Sequence, residues 1–340
     1  MNFMKTAIIS AVGLSTVVAT TAIAKDVYLK MDAFPAGSSI GQFGIAYSTV
    51  VQKYTDVKIQ VSTGKPGTKS AIDSANKRVD LFTTSPAVNF FMRKKMAMYK
   101  KVKNSDQMVK ELRGLINYGS GPYHVVVYEG SGIKSLKDIK GKKVFLGPPG
   151  SLAARTTTLM VAGATGYKPG VDFEAVKFDW QTAATAFVDR QMDVMFQPTT
   201  VPSPIIQQFA LVNKIRFLGI PAEAMKTEAV KKMFAFPGRA VFSIPAGIYP
   251  NQVNKKPVTT LTGWVGLGTN RWMSEKVAYD MTKAFWEHLD EVHATAKWMS
   301  SINKETALMQ MNMPLHIGAY KYYKEAGFTI ADALVPPEAK

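Results

Sequence analysis

The stretch DVYLKMDAFPAGSSIGQFGIAYSTVVQKY, residues 26–54, carries the pattern that decides the fold class. Apolar and polar residues alternate over 26–34 as in a strand, residues 35–39 form a small-residue loop, and apolar residues recur at helical spacing over 40–54. The same order returns over residues 57–77, and another strand is predicted over 79–83. Strands that alternate with helices predict an α/β fold of mostly parallel sheets flanked by helices.

The βα pattern restarts after Gly-Ser-Gly-Pro at 119–122, which predicts a second lobe. We assign residues 25–121 and 245–340 to lobe 1 and residues 122–244 to lobe 2. The return part contains a predicted long helix from Ser274, with one apolar face made of Val277, Met281, Phe285, Leu289 and Val292. Crossings near 121–122 and 244–246 would form a hinge, and a ligand is expected in the cleft between the lobes, at the carboxyl ends of the strands.

The first 24 residues have the three parts of a secretory signal peptide. Lys5 lies in a short n-region, an apolar region covers 6–18, and Ala22-Ile23-Ala24 is a small-residue cleavage site. The apolar region is shorter than the roughly 20 residues that cross a bilayer, so we expect cleavage after Ala24 and a periplasmic protein. The chain contains no cysteine, which excludes disulfides and a lipoprotein anchor.

The chain is strongly basic, with 42 Lys and Arg against 25 Asp and Glu and a formal net charge of +17. An exported protein rarely meets nucleic acid, so the positive field favours a small anionic solute and no nucleic acid partner. One basic cluster stands out, and a solvated face is favoured there over a binding patch: Arg93, Lys94, Lys95, Lys100, Lys101 and Lys103. With no cysteine and four histidines, a structural zinc site is not expected.

Small hydroxyl residues and glycines follow the predicted strands. Such loops expose backbone N–H groups at helix N-termini, which attract carboxylates and phosphates, although each loop alone also fits an ordinary turn or cap. Gly147 to Ser151 is the best single anion cradle, and Arg155, one turn into the next helix, is either a charged clamp or a surface residue. The candidate ligand-binding residues from this pattern are Ser38, Ser39, Thr63, Thr84, Ser151, Arg155, Thr199 and Thr200.

Short catalytic motifs also occur, and they favour an enzyme only weakly. Gly37-Ser38-Ser39-Ile40-Gly41 matches G-x-S-x-G, but too few residues precede it to build the strands that flank a nucleophile elbow. A secreted hydrolase that uses Ser39 is the rival prediction. No histidine stands at readable spacing from a carboxylate, and no Walker loop or dinucleotide fingerprint is present, so we expect no cofactor and no metal.

Three long segments resemble a known family. They are IPAGIYPNQ at 244–252, TKAFWEHLD at 282–290 and PLHIGAYKYYKEAG at 314–327, which look like signature segments of the TAXI family of TRAP transporter solute receptors. Residues 132–151 and 201–205 resemble the family in matching order. The resemblance implies a two-lobed, type II-like periplasmic binding protein that closes on a small carboxylate, such as glutamate or a dicarboxylate, and delivers it to permease subunits driven by an ion gradient.

Carried over to this chain, the family's ligand loops fall on residues 37–39, 63–70, 150–151 and 197–200. The resemblance thereby adds Thr68, Ser70 and Gln197 as candidate ligand-binding residues, and Lys65, an addition with respect to the family's second loop, is a further candidate. Lys65 or Lys69 is the hypothetical counter-charge for the carboxylate. A receptor for an ABC transporter or a sensor kinase remains an alternative with the same binding physics. We expect a monomer, since a monomer suits docking on a permease.

Overall fold

The computed structural model describes residues 26–34 and 38–340, so the predicted signal peptide and Gly37 of the first loop lie outside the described residues. The strands are β1 (Val27–Ala33), β2 (Val57–Thr63), β3 (Leu81–Thr84), β4 (Leu112–Tyr128), β5 (Lys143–Phe145), β6 (Glu174–Ala175), β7 (Val194–Pro198), β8 (Ile215–Phe217), β9 (Arg239–Ile244) and β10 (Val258–Asn270). The α-helices are α1 (Ser39–Tyr54), α2 (Gly67–Ala75), α3 (Pro86–Arg93), α4 (Ser105–Met108), α5 (Leu152–Thr165), α6 (Trp180–Val188), α7 (Pro204–Val212), α8 (Glu228–Phe234), α9 (Glu275–Glu287), α10 (Leu289–Thr295) and α11 (Ile317–Glu325). Within the described part of the chain, none of these helices is long and apolar enough to cross a bilayer.

The predicted strand and helix of residues 26–54 are confirmed as β1 and α1. β1 pairs in parallel with β2, with Val27 opposite Val57, and in parallel with β3 on its other side. The Ser38 Oγ accepts a hydrogen bond from the Gly41 N–H at 3.0 Å, which caps the first turn of α1. The second predicted helix, within residues 57–77, is α2, and it begins at Gly67.

Two long strands, β4 and β10, run through both lobes. The lobe 1 sheet has the order β2-β1-β3-β10-β4, and the lobe 2 sheet continues from β4 as β7-β5-β6, with β8 beside β4 and β9 beside β10. The outer strands are parallel, whereas β10 runs antiparallel to β3, β4 and β9, and β4 runs antiparallel to β7 and β8. The α/β class is confirmed. The sheets are mixed rather than mostly parallel, because the two strands that join the lobes run against their neighbours.

The chain passes from lobe 1 to lobe 2 in β4 around Gly121 and returns in β10 around Gly263, and these two residues are opposite each other in the sheet. The expected return at 244–246 differs from this course, because β9 pairs with the first half of β10 over the whole of residues 239–244. Residues 245–257 therefore belong to lobe 2. From here on, lobe 1 denotes residues 26–34, 38–120 and 264–340, and lobe 2 denotes residues 123–262.

A buried hydrogen bond holds the 245–257 segment on lobe 2. The Tyr249 Oη lies 2.8 Å from the Nε2 of His124, which is on β4, and both rings pack edge-on against Phe217 of β8. Tyr249 and His124 are both buried. The sequence pattern of this segment is that of a loop, and only the contact with β4 and β8 shows which lobe it covers.

The predicted long helix after Ser274 is two helices. α9 and α10 are separated at His288, whose φ of −119° and ψ of 32° lie outside the helical range. The imidazole of His288 stacks on the ring of Tyr54 in α1, with centroids 3.3 Å apart. Met281, Phe285 and Val292 of the predicted apolar face are buried in one core with residues of β1 and α1.

The basic cluster at 93–103 lies at the end of α3 and in the segment that follows it, on lobe 1. All six basic side chains are exposed. The Lys95 Nζ pairs with Asp106 at 3.0 Å, and Arg93 donates to the backbone oxygen of Asn312 at 2.7 Å. The preference for a solvated face over a binding patch stays a prediction.

Candidate functional site

A cavity of about 800 Å³ lies between the two lobes, beside the strands that join them. Loops after β1, β2 and β3 supply its lobe 1 wall, while the start of α5, the start of α6, the end of β7 and the start of β9 supply its lobe 2 wall. Thr262, Gly263 and Trp264 of β10 form part of its floor. Because parallel strands end at the same edge of a sheet, residues far apart in sequence meet here. This cavity is called the cleft below.

The twelve predicted ligand-binding residues divide into two groups. Six of them line the cleft: Ser38, Lys65, Thr68, Thr84, Ser151 and Gln197. The other six do not: Ser39, Thr63, Ser70, Arg155, Thr199 and Thr200. Both lobes contribute to the first group, so the cleft brings together hydroxyl and amide groups from loops of both lobes.

Most hydroxyl groups of the lining group are engaged in local bonds. The Ser151 Oγ accepts from the Ala154 N–H at 3.1 Å and caps α5, as Ser38 caps α1. Thr84 donates from its Oγ1 to the Asn89 Oδ1 at 2.8 Å. These bonds orient the side chains, and a serine hydroxyl that accepts one hydrogen bond can also donate its own hydrogen to an acceptor. The ordinary cap function and a ligand contact are thus compatible at the same residue.

The residues outside the cleft have structural roles. Ser70, Thr199 and Thr200 bond to oxygen atoms of their own loops at 3.3, 2.9 and 3.3 Å. Ser39 is buried in the first turn of α1, and Thr63 is exposed at the end of β2. Their placement follows from loop geometry, which the pattern of hydroxyl residues in the sequence does not specify.

Lys65 lines the cleft but is already paired with two acids. Its Nζ lies 2.9 Å from the Asp32 carboxylate at the end of β1, and it also contacts Asp73 of α2. Hydrogen bonds that Lys65 donates to Asp73 and, with a smaller effect, to Asp32 raise the pKa of Lys65 above its ordinary value. Lys69 is exposed and does not line the cleft. The hypothesis that either lysine is the counter-charge of a bound carboxylate therefore has little support from the geometry.

Arg239, the first residue of β9, lines the cleft and was missed by the sequence reasoning. Its Nη1 donates to the backbone oxygen of Met233 at 2.9 Å, and its Nη2 donates to the Thr156 Oγ1 at 2.7 Å. Burial, together with the nearby positive charge of Arg155, lowers the pKa of Arg239 to about 10. No short motif surrounds Arg239, and only the pairing of β9 with β10 brings it to the hinge.

Arg155 of α5 lies next to Arg239, outside the cleft lining. Its guanidinium carbon stands 5.4 Å from the ring centroid of Phe91 on α3, so Arg155 reaches across to lobe 1. Its Nε is buried and has no hydrogen-bond partner among the described residues. Two other arginines that are not exposed, Arg113 and Arg216, each pair with a glutamate. Arg155 and Arg239 form no ion pair within the described residues.

The rest of the cleft wall is mostly apolar. Phe34, Leu152, Trp180 and Ile205 line it together with Trp264, whose indole N–H is buried without a partner among the described residues. Burial also raises the pKa of Tyr123, which lies beside Arg239, so this phenol stays protonated at neutral pH. The cleft therefore combines one strongly cationic corner with a broad apolar surface.

The rival hydrolase site has no visible partner for Ser39. The four histidines bond or stack elsewhere: His124 with Tyr249, His293 with the backbone of Ile302, His316 with the backbone of Met273, and His288 with Tyr54. Within residues 26–34 and 38–340, no three or more acidic or histidine side chains are grouped so as to hold a metal ion.

Comparison with known families supports a binding function for this architecture. The profile of the NMT1-like family matches residues 34–327, which covers both lobes and every described residue of the cleft. The match extends over most of the chain.

Several solved structures are similar to this chain. MatC from Rhodopseudomonas palustris with bound malate is 15% identical, covers 89% of this chain and 97% of its own, and has a TM-score of 0.56, which shows a shared fold. The alkanesulfonate-binding protein SsuA from Xanthomonas axonopodis pv. citri bound to MOPS is 13% identical with a TM-score of 0.45, covering 89% of this chain and 92% of its own. A TRAP solute-binding protein specific for aromatic acid ligands, from an unidentified marine microbe and in complex with 3-hydroxybenzoate, is 16% identical with a TM-score of 0.46, covering 90% of this chain and 85% of its own.

Proposed function

The chain belongs to the NMT1-like family, and from that premise we propose that it is a periplasmic solute-binding receptor. In this proposal the cleft captures one small carboxylate and delivers it to the permease subunits of a TRAP transporter. The resemblance of residues 244–252, 282–290 and 314–327 to TAXI receptors supports that permease class, and the signal-like residues 1–24 support export. Glutamate and related dicarboxylates are the solutes that the resemblance implies.

The observation that carries the proposal is Arg239 at the lobe 2 wall of the cleft, with the positive charge of Arg155 behind it. A guanidinium that is partly removed from water is costly unless an anion accepts its hydrogen bonds, and burial has already lowered the pKa of Arg239. No carboxylate of the described residues lies within ion-pair distance of either arginine, whereas the comparable Arg216 pairs with Glu129 at 2.8 Å. A ligand carboxylate would accept paired, charge-assisted hydrogen bonds at this corner.

Closure about the hinge explains how a captured solute would be retained. β4 and β10 cross side by side between the lobes, with a register shift between Gly263 and Trp264. Groups from both lobes line the cleft, so a bound solute contacts both lobes only when they are close together. That difference in contact is what would select the closed arrangement.

The same binding physics would serve an ABC transporter or a sensor kinase, and the membrane partner separates these alternatives. Uptake of the solute can be measured in vesicles that carry the permease whose gene neighbours that of this protein. It would depend on an ion gradient for a TRAP transporter and on ATP for an ABC transporter. We propose the first, with the receptor acting as a monomer. A sensor kinase would produce a signal without any uptake.

Calorimetry with a panel of small carboxylates tests the receptor function. We expect saturable binding of at least one acid, recovered chemically unchanged, and a loss of affinity of about tenfold or more in Arg239→Met, because a charge-assisted pair is lost. Arg190→Met is the matched control, since Arg190 is exposed on lobe 2 and stacks on Tyr128 at 5.1 Å. Hydrolysis of esters that disappears in Ser39→Ala, without any acid binding, would overturn the proposal in favour of the enzyme.

A further inference from the structure

The charged side chains around the cleft indicate which class of carboxylate it would bind. Resting on the proposed receptor function, we infer that the solute is a monocarboxylate with a bulky apolar body, its single anionic group held at the Arg239 corner of lobe 2 and its body against the tryptophan-rich wall. This inference departs from glutamate and the dicarboxylates, which carry a second charged group. The contacts of the charged side chains in and around the cleft decide between the two classes of solute.

A second carboxylate would find no available cation across the cleft. Among the described residues that line the lobe 1 wall, Lys65 is the only cation, and both Asp32 and Asp73 are already paired with it. Asp73 also pairs with Arg78 at 3.1 Å, so these four side chains together carry no surplus positive charge. If a dianion bound between the lobes, its lobe 1 end would face Lys65, whose positive charge is already compensated by Asp32 and Asp73. Its second carboxylate would lose water without gaining an ion pair.

An amino acid would meet a similar problem with its ammonium group. Among the described residues that line the cleft, Asp179 is the only acid. Its carboxylate accepts the Thr182 N–H at 2.8 Å and caps α6, and hydrogen bonds from Thr182 lower its pKa. Asp179 is exposed, and Asp32 is held by Lys65. No buried, unpaired acid is therefore present in the described cleft to bind an ammonium group.

The apolar wall has room for a ring or a branched chain. The cleft measures about 800 Å³, which lies toward the upper end of the volumes of ligand pockets, about 300–1,000 Å³. Trp180, Trp264 and Phe34 come from three different elements and surround it together with Leu152 and Ile205. Such a surface gains little from the short polar chain of malate or glutamate, whereas it would bury the body of a larger acid.

The cationic corner supplies the orientation. Arg239 borders the cleft, with Thr156 and Tyr123 beside it in the lining, and Arg155 adds positive charge from behind. Arg239 uses one N–H of each terminal nitrogen in its bonds to Met233 and Thr156, so other N–H groups remain for a carboxylate. A single anionic group therefore fits at one end of the cleft, and the apolar body extends away from it.

A matched ligand series tests the inference by calorimetry on the purified protein. The series compares monocarboxylates of growing size (benzoate, 3-phenylpropanoate, 3-cyclohexylpropanoate and octanoate) with three kinds of partner compound. L-phenylalanine adds an ammonium group to 3-phenylpropanoate, 3-(4-carboxyphenyl)propanoate adds a second carboxylate, and 3-phenylpropanol removes the charge. Glutamate, glutarate and malate complete the panel. We expect the tightest ligand to be a monocarboxylate, and the doubly charged or zwitterionic partner to bind about tenfold or more weakly because its extra charge is desolvated unpaired.

Variants locate the two ends of the ligand. Arg239→Met should weaken the best monocarboxylate by about tenfold or more and leave 3-phenylpropanol unchanged. Trp180→Ala should weaken both to a similar degree, and Arg190→Met should weaken neither. If glutamate, malate or another doubly charged acid binds most tightly, the inference is wrong while the receptor function stands. If no acid of the panel binds, the receptor function for carboxylates itself fails.

Discussion

The ring of Phe236 in lobe 2 packs edge-on against the ring of Phe91 in lobe 1, with centroids 5.0 Å apart and an angle of 61° between the planes. Phe236 lies between α8 and β9, three residues before Arg239. Phe91 also lies under the guanidinium of Arg155 at 5.4 Å. This contact between the lobes thus lies beside Arg155 and Arg239, for which the described residues provide no ion pair, so closure and anion binding share one corner of the cleft.

Phe236→Ala should favour separated lobes. An aromatic pair contributes about 0.5–1.5 kcal/mol beyond its buried area, so the loss should shift the ratio of closed to open molecules by about 2- to 10-fold. Small-angle X-ray scattering without ligand should report a larger radius of gyration, and solute affinity should fall by a similar factor. Phe236→Leu, which keeps an apolar contact, is the control and should show a smaller change. An unchanged radius of gyration and affinity in Phe236→Ala would contradict this role.

Gly121→Ala should destabilise the protein strongly. Gly121 has a φ of +84°, and a Cβ there would lie 2.2 Å from the backbone oxygen of Thr199. A side chain would require a strained backbone and a displacement of the loop after β7, so we expect the free energy of unfolding to fall by about 2 kcal/mol or more. Gly119→Ala is a matched control two residues earlier in β4, because nothing lies within 4 Å of its Cβ position. Equal urea midpoints for the two variants would refute the steric argument.

Lys65→Met should show that Lys65 compensates acids rather than binding the solute. Removing the cation leaves Asp32 and Asp73 close together without their shared partner, so we expect a loss of about 1–2 kcal/mol in stability, since Lys65 is partly exposed. Anion affinity should fall modestly, because the cleft becomes more negative. Adding Asp32→Asn to Lys65→Met should recover much of both losses.

A direct contact between Lys65 and the carboxylate predicts the opposite pattern. Asp32→Asn alone would then release Lys65 and raise affinity, and the double variant would remain as weak as Lys65→Met. Lys69→Met provides the neutral reference, since Lys69 is exposed and away from the cleft lining.

His124 should make stability depend on pH below neutrality. Burial lowers the pKa of His124 from its ordinary 6.5 to about 3. Between those values the unfolded chain binds a proton that the folded chain excludes, so the free energy of unfolding decreases as the pH falls, by at most about 1.4 kcal/mol per pH unit from this residue. Urea unfolding of the wild type and His124→Gln between about pH 7.5 and 5 should show a shallower slope in the variant.

The remaining slope has an identifiable source. Burial also lowers the pKa of His316, so this second histidine makes stability depend on pH in the same direction. Its contribution to the slope should remain in His124→Gln. If His124→Gln retains the full wild-type slope, the proton-linked role of His124 is ruled out.

Periodicity predicted the elements better than their connections. The β1 and α1 unit follows from alternation and helical spacing that are local in the chain. The break between α9 and α10 lies at His288, which stacks on Tyr54 from more than 230 residues earlier in sequence, whereas the apolar spacing continues through the break. Likewise, the loop at 245–257 has an irregular sequence, and its attachment to lobe 2 depends on contacts with residues remote in sequence, such as the bond between Tyr249 and His124.

The candidate site could be predicted in part, because the order of strands and helices is readable from the sequence. Ser38, Thr84, Ser151 and Gln197 line the cleft because strands of a sheet end together, which the order of elements implies. Their contact with a ligand stays a prediction. Arg239 gave no signal, because nothing in the residues around it indicates a binding site.

The sequence by itself determined the α/β class, the helix caps and the loops that reach one edge of the sheets, since these depend on residues within a few positions of one another. The tertiary structure decided where uncompensated charge lies. Lys65 is paired because β1 and α2 bring Asp32 and Asp73 to it, whereas β9 places Arg239 beside Arg155, where no acid among the described residues forms an ion pair with it. Charge compensation depends on distances through space between residues remote in the chain, and only the packed fold sets those distances.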